Sequence, residues 1–599
     1  MRTGSRGAAR RIGRAVSAPW RDRAGRVALV LLLALLTWRG VLLAGSYFNQ
    51  DDYYLSARAW ASTLEPAFLV RDTAGHVNPA QQLTYWLVAR FAPFNWGVVA
   101  TFVLVMQAVA SVLAWHLLTR LLPGRWVRIP LLVAFVAAPL TLATTLWWSA
   151  AMGLWPHVIF SIAAVLLVAR LHDDVGPERW TQAGVVACLV LGLLWHERSV
   201  LILPVAYGAA VALADPHRGW RRLLAPARRR PVMWAGAVAA LGAFLLAHRR
   251  LTEVEGGAAS WSSTPGLAWS YVGRTIVPGL VSGPWQARLE GGAVDPAGWT
   301  VAVAMVLVAL VGGWLLLRGG ATARWAALLL AGYVLADLAL LVSGRGGFGL
   351  IVGLDPRYSA DVVHVGVLAA ALALRGVPRV GVDRGAVLRR RGAVGAATVA
   401  YLVGSVAGTA VLVPHFQNTE DRAYVEQLRA DLAADGSQVV HDALVPPGIL
   451  LPLLGEEAFF SRVFAPLPEA PAVDEPSSRL RVVAEDGSLE APALPAGIPA
   501  REGPVADCGY AAGPAGAGVR FPVPLAGRFA IRLRTFASEE TTLAARLGSW
   551  RDLVQVPVGP QETWLTVDLD APASVLDLRS LGLGTVCVTE AFAGAPELP

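Results

Sequence analysis

The fold is decided by residues 27–44, VALVLLLALLTWRGVLLA, an almost uninterrupted apolar run. About 20 residues of this kind are enough for a helix to cross the hydrocarbon core of a bilayer. The run leads into residues 48–60, FNQDDYYLSARAW, which place two adjacent aspartates at the membrane boundary. Ionisable groups at that depth are costly unless they face water or a partner, so the pair indicates a functional site.

The composition of the whole chain agrees with a membrane protein. Of its 599 residues, 55% are hydrophobic and 16% are charged, and the mean hydropathy is +0.51. This balance excludes an ordinary soluble domain, and no nucleic-acid partner is expected. Residues 1–414 carry a net charge of +20 and residues 415–599 one of −12. The break predicts a membrane domain followed by a soluble domain.

We predict about eleven transmembrane helices from the length of the apolar runs. They cover residues 27–44, 97–120, 128–146, 150–170, 181–195, 199–214, 232–250, 299–317, 324–343, 359–375 and 393–413. The fifth and sixth are short, and a single broken helix is the alternative. Separate helices are favoured, because they place every strongly basic loop on one side of the membrane.

This topology predicts a multi-pass membrane protein. All 51 basic residues are arginine, and with the richness in alanine, glycine, proline and valine this suggests a GC-rich bacterial genome and hence a bacterial plasma membrane. The basic segment 1–26 is expected in the cytoplasm, whereas the loop 45–96 and the acidic tail are expected outside. A cleaved signal peptide is the alternative for the first span. The long basic lead and the residues Tyr47-Phe48-Asn49, a poor cleavage site, favour a retained anchor.

The first outer loop has a pattern of its own. Asp51 to Ala61 and Pro79 to Phe91 show helical spacing, and both are expected to lie along the membrane surface. The order of QDDYYLSARAW, a turn and HVNPAQQLTYWLVARF between two apolar spans resembles the family C glycosyltransferases. This family includes the protein O-mannosyltransferases, the aminoarabinose transferases and the arabinofuranosyltransferases.

The resemblance covers residues 27–120 by motif and the rest of the chain by architecture. It implies transfer of a sugar from a polyprenyl phosphate donor to a glycan, lipid or protein outside the cytoplasm. Asp51 and Asp52 match the acidic pair of the family, and we assign Asp51 as the catalytic base. Asp52 is expected to support Asp51 or to bind a divalent cation, Mg²⁺ or Mn²⁺.

The departing phosphate needs positive charge, for which the planar guanidinium of arginine is suited. Arg198 and Arg357 are the first candidates, because each lies at the outer end of a span. The further candidates for binding the donor or its phosphate are Arg274, Arg345, Tyr358, His196, Glu197, Tyr53 and His76. The alternative for several of these residues is a polar turn or an ordinary ion pair.

The tail is predicted as an extracytoplasmic α/β segment with a linker, residues 415–505, followed by a β-sandwich-like domain, residues 506–599. Cys508 and Cys587 lie in this tail and could pair if it is outside the cytoplasm. Two other functions remain open at this point: a transporter or flippase for an envelope lipid, and a non-catalytic scaffold. A transporter is expected to show internal repeats and broken helices.

Overall fold

The structure is a computed structural model, and it describes residues 18–214, 216–252, 257–260, 262–378 and 384–599. Most of the predicted basic N-terminus, residues 1–17, lies outside the described residues. The chain divides into two compact units, residues 1–55 with 61–418 and residues 56–60 with 419–599. This division follows Asn418, close to the boundary at residue 414 that the charge pattern predicts.

The first unit is helical and apolar. Its described part, with the helix that leads out of it, holds seven helical stretches long and apolar enough to cross a membrane. They are Arg23–Ala44, Trp96–Leu121, Arg128–Leu146, Trp148–His172, Pro231–Leu251, Gly298–Gly344 and Arg391–Ala434. Together with the β domain described below, they make the chain a polytopic helical membrane protein with a C-terminal β domain, as predicted.

Two pairs of neighbouring predicted spans each form two helices in the structure. The stretch Gly298–Gly344 is interrupted at Gly320, whose φ of +60° breaks the helical geometry. The helices before and after Gly320 hold the eighth and the ninth predicted spans, residues 299–317 and 324–343. Glu178–Trp195 and Ile202–Leu213 are two separate helices joined by the turn Glu197–Leu201.

The first unit also contains shorter elements that connect and cover the long helices. The α-helices among them are Asp51–Ala61, of which residues 56–60 are assigned to the second unit, Pro66–Leu69, Pro79–Phe91, Ala225–Arg229, Thr264–Ala268, Val277–Leu280 and Val362–Gly376. The stretch Arg128–Leu146 consists of helices Arg128–Val136 and Leu142–Leu146 with a short turn between them. Arg384–Phe416 is the last long helix of the unit. A π-helical turn, Trp269–Ile276, precedes a hairpin of two strands, Ala287–Glu290 and Ala293–Pro296.

The two helices of the loop 45–96, which the sequence predicts as the first outer loop, have the predicted bounds. Asp51–Ala61 begins at the acidic pair, and Pro79–Phe91 begins with a proline, whose fixed φ suits the first turn of a helix. Tyr85 of the second helix is fully buried, with its ring 4.0 Å from that of Trp148. This contact fixes the loop against the start of helix Trp148–His172.

The second unit begins with helix Thr419–Ala434 and a small mixed sheet. The order of its strands is Ala472–Val473, Val439–Val440, Leu480–Val483, Leu489–Glu490, and Val439–Val440 pairs in parallel with both neighbours. Part of the predicted linker therefore forms strands.

The rest of the second unit is an antiparallel β domain. Its strands run in the order Trp550–Val556, Thr541–Leu547, Gly559–Ser580, Ala517–Ala537, Val586–Gly594 and Ile498–Pro499, and Tyr510–Ala512 also pairs with Val586–Gly594. Alternate apolar residues of these strands form one core, as the period of two predicts. Cys508 and Cys587 form a disulfide that joins the start of this region to its last strand.

Candidate active site

Two adjacent carboxylates at the start of helix Asp51–Ala61 have opposite environments. Asp52 is fully buried, and its carboxylate accepts hydrogen bonds from the Tyr85 hydroxyl at 2.8 Å and from the Ser149 and Asn49 amides at 2.9 and 3.0 Å. Asp51 is exposed. The Asp52 carboxylate is therefore fixed in place, whereas the Asp51 carboxylate is free to meet a ligand.

Burial has a large effect on both acids. It raises the pKa of Asp52 to about 7, against the hydrogen bonds from Tyr85, Asn49 and Ser149, which lower it. The protein atoms around Asp51 also raise its pKa by removing water, although its side chain remains open to solvent on one side. Asp51 thus lines an open depression instead of standing out from the surface.

Two arginines and a histidine lie within electrostatic range of Asp51. Arg357, His76 and Arg345 each lower the pKa of Asp51, and Asp355 raises it. Arg357 and Asp355 come from a loop before helix Val362–Gly376, His76 comes from the loop 45–96, and Arg345 comes from the end of helix Gly298–Gly344. The structure thereby brings together residues that are up to about 300 positions apart in the sequence, all of them except Asp355 among the predicted site residues.

Arg357 is held by two contacts. Its Nε donates to Asp355 at 2.8 Å, and its Nη2 lies 2.6 Å from the same carboxylate oxygen. The guanidinium carbon lies 3.9 Å from the centre of the Trp147 ring, a stacked cation–π contact. Asp355 raises the pKa of Arg357 despite burial, so the side chain keeps its charge. Nη1 makes no hydrogen bond within the described residues and remains available to an anion.

The hairpin Ala287–Pro296 packs closely against the Asp355–Arg357 pair at Gly292. A Cβ atom at Gly292 would lie 2.6 Å from Asp355 Oδ2 and 3.3 Å from Arg357 Nη2. Only glycine therefore allows the hairpin to approach the Asp355–Arg357 pair without displacing it.

His76 connects the loop 45–96 to two other segments. Its Nδ1 lies 2.7 Å from Glu197 Oε1, and Arg345 Nη2 lies 2.8 Å from its Nε2. Since an arginine can only donate, Nε2 accepts in this geometry and Nδ1 donates to Glu197. Burial disfavours a charged His76, but the Glu197 carboxylate outweighs it and raises the pKa of His76. Burial alone would raise the pKa of Glu197, but His196 and His76 hold this pKa well below its usual value.

Arg198 has a different environment from the other predicted phosphate ligands. Its Nη1 donates to the Arg357 carbonyl at 3.0 Å and to Asp361 at 3.4 Å, and its Nε lies 3.6 Å from Asp337. Both carboxylates are buried. The Asp361 carboxylate accepts from Tyr333 at 2.6 Å, and Asp337 accepts from Tyr271. Arg198 thus holds the segment that carries Arg357, and its charge is neutralised by two acids.

The remaining predicted site residues lie around the depression or apart from it. Arg274 pairs with Asp295 of the hairpin. Tyr53 is buried, with its ring 6.1 Å from those of Phe48 and Phe94. The Tyr358 ring lies 5.8 Å from the Arg357 guanidinium. Sequence reasoning did not assign Asp355, Trp147, Tyr85 or Ser149 to the site, since their roles depend on contacts that no local pattern records.

One group of side chains in the described part of the chain has the composition of a metal site. The ligand atoms of His76, His196 and Glu197 lie within 4.8 Å of one another. Two imidazoles and a carboxylate suit zinc-like ions better than Mg²⁺ or Mn²⁺. A metal ion bound at Nδ1 of His76 would leave the imidazole proton on Nε2. Arg345, which can only donate, would then have to move away from Nε2. Asp52, for which the sequence analysis gave cation binding as one of two alternatives, is fully buried with three donors on its carboxylate and does not fit a hydrated cation.

Comparison with solved structures finds glycosyltransferases. ArnT from Cupriavidus metallidurans in the apo state aligns with a TM-score of 0.41 and 12% identity, over 72% of this chain and 84% of that chain. Two classes of a mutant of the arabinofuranosyltransferase AftD from Mycobacteria give TM-scores of 0.36 and 0.32, each at 12% identity, over 94% and 95% of this chain.

The chain spans 61% and 60% of the length of the two AftD structures. No protein-family model matches the chain, and no curated protein does. TM-scores of this size do not establish a shared fold. The function proposed below therefore depends on the residues of this chain.

Proposed function

We propose that the protein transfers a glycosyl group from a polyprenyl phosphate sugar to an acceptor outside the cytoplasm, with inversion at the anomeric carbon. The acceptor is a cell-wall glycan, a lipid or a protein. The observation that carries the proposal is the exposed Asp51 carboxylate within electrostatic range of the cationic side chains of Arg357 and Arg345. A base beside fixed positive charge is the arrangement that displacement of a phosphate by a hydroxyl requires.

In this proposal Asp51 accepts the proton of the acceptor hydroxyl. The hydroxyl oxygen forms a bond to the anomeric carbon, and the bond from that carbon to the phosphate oxygen breaks. The phosphate leaves with an additional negative charge, which Arg357 stabilises through its free Nη1. The hydrogen bonds to Asp52 hold the start of helix Asp51–Ala61, so that the neighbouring carboxylate keeps its position.

The membrane setting supports the same assignment. The donor has a long apolar chain, which stays in the bilayer while its sugar reaches the boundary. The acidic pair directly follows helix Arg23–Ala44. The disulfide Cys508–Cys587 is typical of a compartment outside the cytoplasm, where the charge rule also places the tail.

The decisive experiment compares Asp51→Asn with a matched control in the same outer loop. Glu65 is exposed, and Glu65→Gln removes a carboxylate of that loop away from the depression. Membranes containing each variant are supplied with labelled polyprenyl phosphate sugar. We expect Asp51→Asn to lower transfer by about 10² to 10⁴-fold, the usual contribution of a general base, and Glu65→Gln to leave it unchanged. Equal transfer by the wild type and Asp51→Asn would exclude the proposed base.

A further inference from the structure

A second concave site lies in the helical unit, beside the arginine-rich segment 221–230. It is a cavity of about 70 Å³ between the ends of helices Trp148–His172 and Ile202–Leu213 and the start of helix Pro231–Leu251. The short helix Ala225–Arg229 closes one side of it. We call it the basic cavity, because Arg229, Arg230 and His172 line it.

Arg229 is the available cation of the basic cavity. Its side chain is exposed, and it makes no hydrogen bond or ion pair among the described residues. Arg230, in contrast, donates to the Leu171 carbonyl at 2.8 Å and to Glu178 at 3.1 Å, and it lies 3.7 Å from Asp174. Arg230 therefore shapes the cavity, while the charge of Arg229 remains uncompensated.

Two further features make the cavity attractive to an anion. Helices Trp148–His172 and Ile202–Leu213 end at the cavity with their negative dipole ends, but their last carbonyls accept hydrogen bonds from Arg230 and Arg222. Arg230 also precedes helix Pro231–Leu251, whose positive dipole end lies at the cavity. Arg375, also exposed, lies with Arg229 within electrostatic range of His172. Three acids lie near the cavity among the described residues: Arg230 engages Asp174 and Glu178, and Arg120 pairs with Asp173 at 2.9 Å.

The surface beside the cavity is apolar. Helix Pro231–Leu251 buries only Met233, Trp234 and Ala237 within the described residues, and Val232 at its start is 81% exposed. Trp220 is 69% exposed on the segment that precedes the short helix. Exposed apolar side chains beside arginines are typical of a segment at the boundary between lipid chains and headgroups. A ligand of the cavity thus has a charged part in the cavity and an apolar part along the helix.

We propose that the basic cavity binds the phosphate of an anionic membrane phospholipid, whose acyl chains lie along helix Pro231–Leu251. Arg229 contacts the phosphate directly, and the dipole of the helix adds to the attraction. Basic pockets between transmembrane helices are known to take such headgroups. The cavity shares no residue with the candidate active site, and the inference does not rest on the proposed glycosyl transfer.

Arg228 provides a matched control for the test. It is the neighbour of Arg229, it is equally exposed and basic, and it does not line the cavity. Full-length protein in detergent is mixed with phosphatidylglycerol or with phosphatidylcholine, and native mass spectrometry counts the retained lipid. We expect retention of phosphatidylglycerol over phosphatidylcholine. Arg229→Gln should lower it about fivefold, the effect of one basic residue at an anionic surface, and Arg228→Gln should not.

Three results would overturn the proposal. Equal retention of the two lipids would show no preference for negative charge. Equal losses for Arg229→Gln and Arg228→Gln would show a diffuse surface effect instead of a cavity. Displacement of the lipid by millimolar inorganic phosphate would assign the cavity to a soluble anion. Thermal unfolding without added lipid verifies that both variants fold like the wild type.

Discussion

The Tyr85 hydroxyl donates a hydrogen bond of 2.8 Å to the buried carboxylate of Asp52. This bond joins helix Pro79–Phe91 to the start of helix Asp51–Ala61, directly beside the exposed Asp51. It gives the two aspartates different roles: Asp52 fixes the helix start, and Asp51 faces the ligand.

Tyr85→Phe tests this division. The variant keeps the ring against Trp148 but leaves Asp52 with one donor fewer, so we expect the free energy of unfolding to fall by about 1–3 kcal/mol. Transfer should decrease far less than in Asp51→Asn, because the reacting carboxylate remains. Thermal unfolding and a transfer assay on the same preparations measure the two effects. A loss of transfer as large as that of Asp51→Asn, with unchanged unfolding, would contradict the assignment.

The pH dependence of transfer reports the base. The surroundings raise the pKa of Asp51 above its ordinary value, and a protonated base cannot accept a proton. We therefore expect kcat/KM to fall as the pH decreases through a midpoint above about 3.9, the usual pKa of an aspartate. Arg357→Gln removes a charge that lowers this pKa, so the midpoint should move to higher pH. A midpoint that moves down in this variant would argue against Asp51 as the titrating group.

Arg357 should determine how well the donor phosphate binds. Arg357→Lys keeps the charge but loses the planar stacking on Trp147 and the fixed hydrogen-bond directions. We expect kcat/KM for the donor to fall by about 10 to 150-fold, the value of a lost hydrogen bond to a charged group. Arg288→Lys on the nearby hairpin is the control, because the Arg288 side chain is exposed and makes no hydrogen bond or ion pair among the described residues. Similar kinetics for the two variants would remove Arg357 from the phosphate site.

The sequence predicts the local structure of this site better than its three-dimensional contacts. The bounds of Asp51–Ala61 and Pro79–Phe91 follow from nearby signals, an acidic start and a proline at the first turn. That Asp52 is buried and Asp51 exposed depends on Tyr85 and Ser149, which lie 33 and 97 residues away. Helical periodicity contains no information about such distant donors.

The same limit applies to the arginines. The sequence shows that Arg198 and Arg357 both lie at the ends of predicted spans, and for this reason it predicts both as phosphate ligands. The partners that distinguish them, Asp361 and Asp337 for Arg198, lie 163 and 139 residues away. The β domain was more predictable, because alternation of apolar residues is itself the cause of its core.

The disulfide should stabilise the β domain. Cys508 and Cys587 enclose 79 residues of sequence separation, and removal of a bridge of this kind typically costs about 2–5 kcal/mol. We expect Cys508→Ser to lower the unfolding temperature of the full chain, and reductant to have the same effect on the wild type but none on the variant. Cys188→Ser is the control, since Cys188 is a free thiol in the helical unit. An unchanged unfolding temperature of Cys508→Ser would show that the apolar core stabilises the domain without the disulfide.

Arg198 should matter through Arg357 and through its two acids. Arg198→Met leaves Asp337 and Asp361 buried without their cation and releases the Arg357 carbonyl, so we expect a loss of about 3–5 kcal/mol in unfolding free energy. Adding Asp361→Asn removes one uncompensated charge and should restore part of this stability. If Arg198 instead binds the donor phosphate, the double variant regains no transfer and Arg198→Met mainly raises the donor KM. Arg249→Met, at an exposed helix end, controls for loss of an arginine as such. Unfolding curves and donor kinetics for the three variants therefore separate a positioning residue from a phosphate ligand.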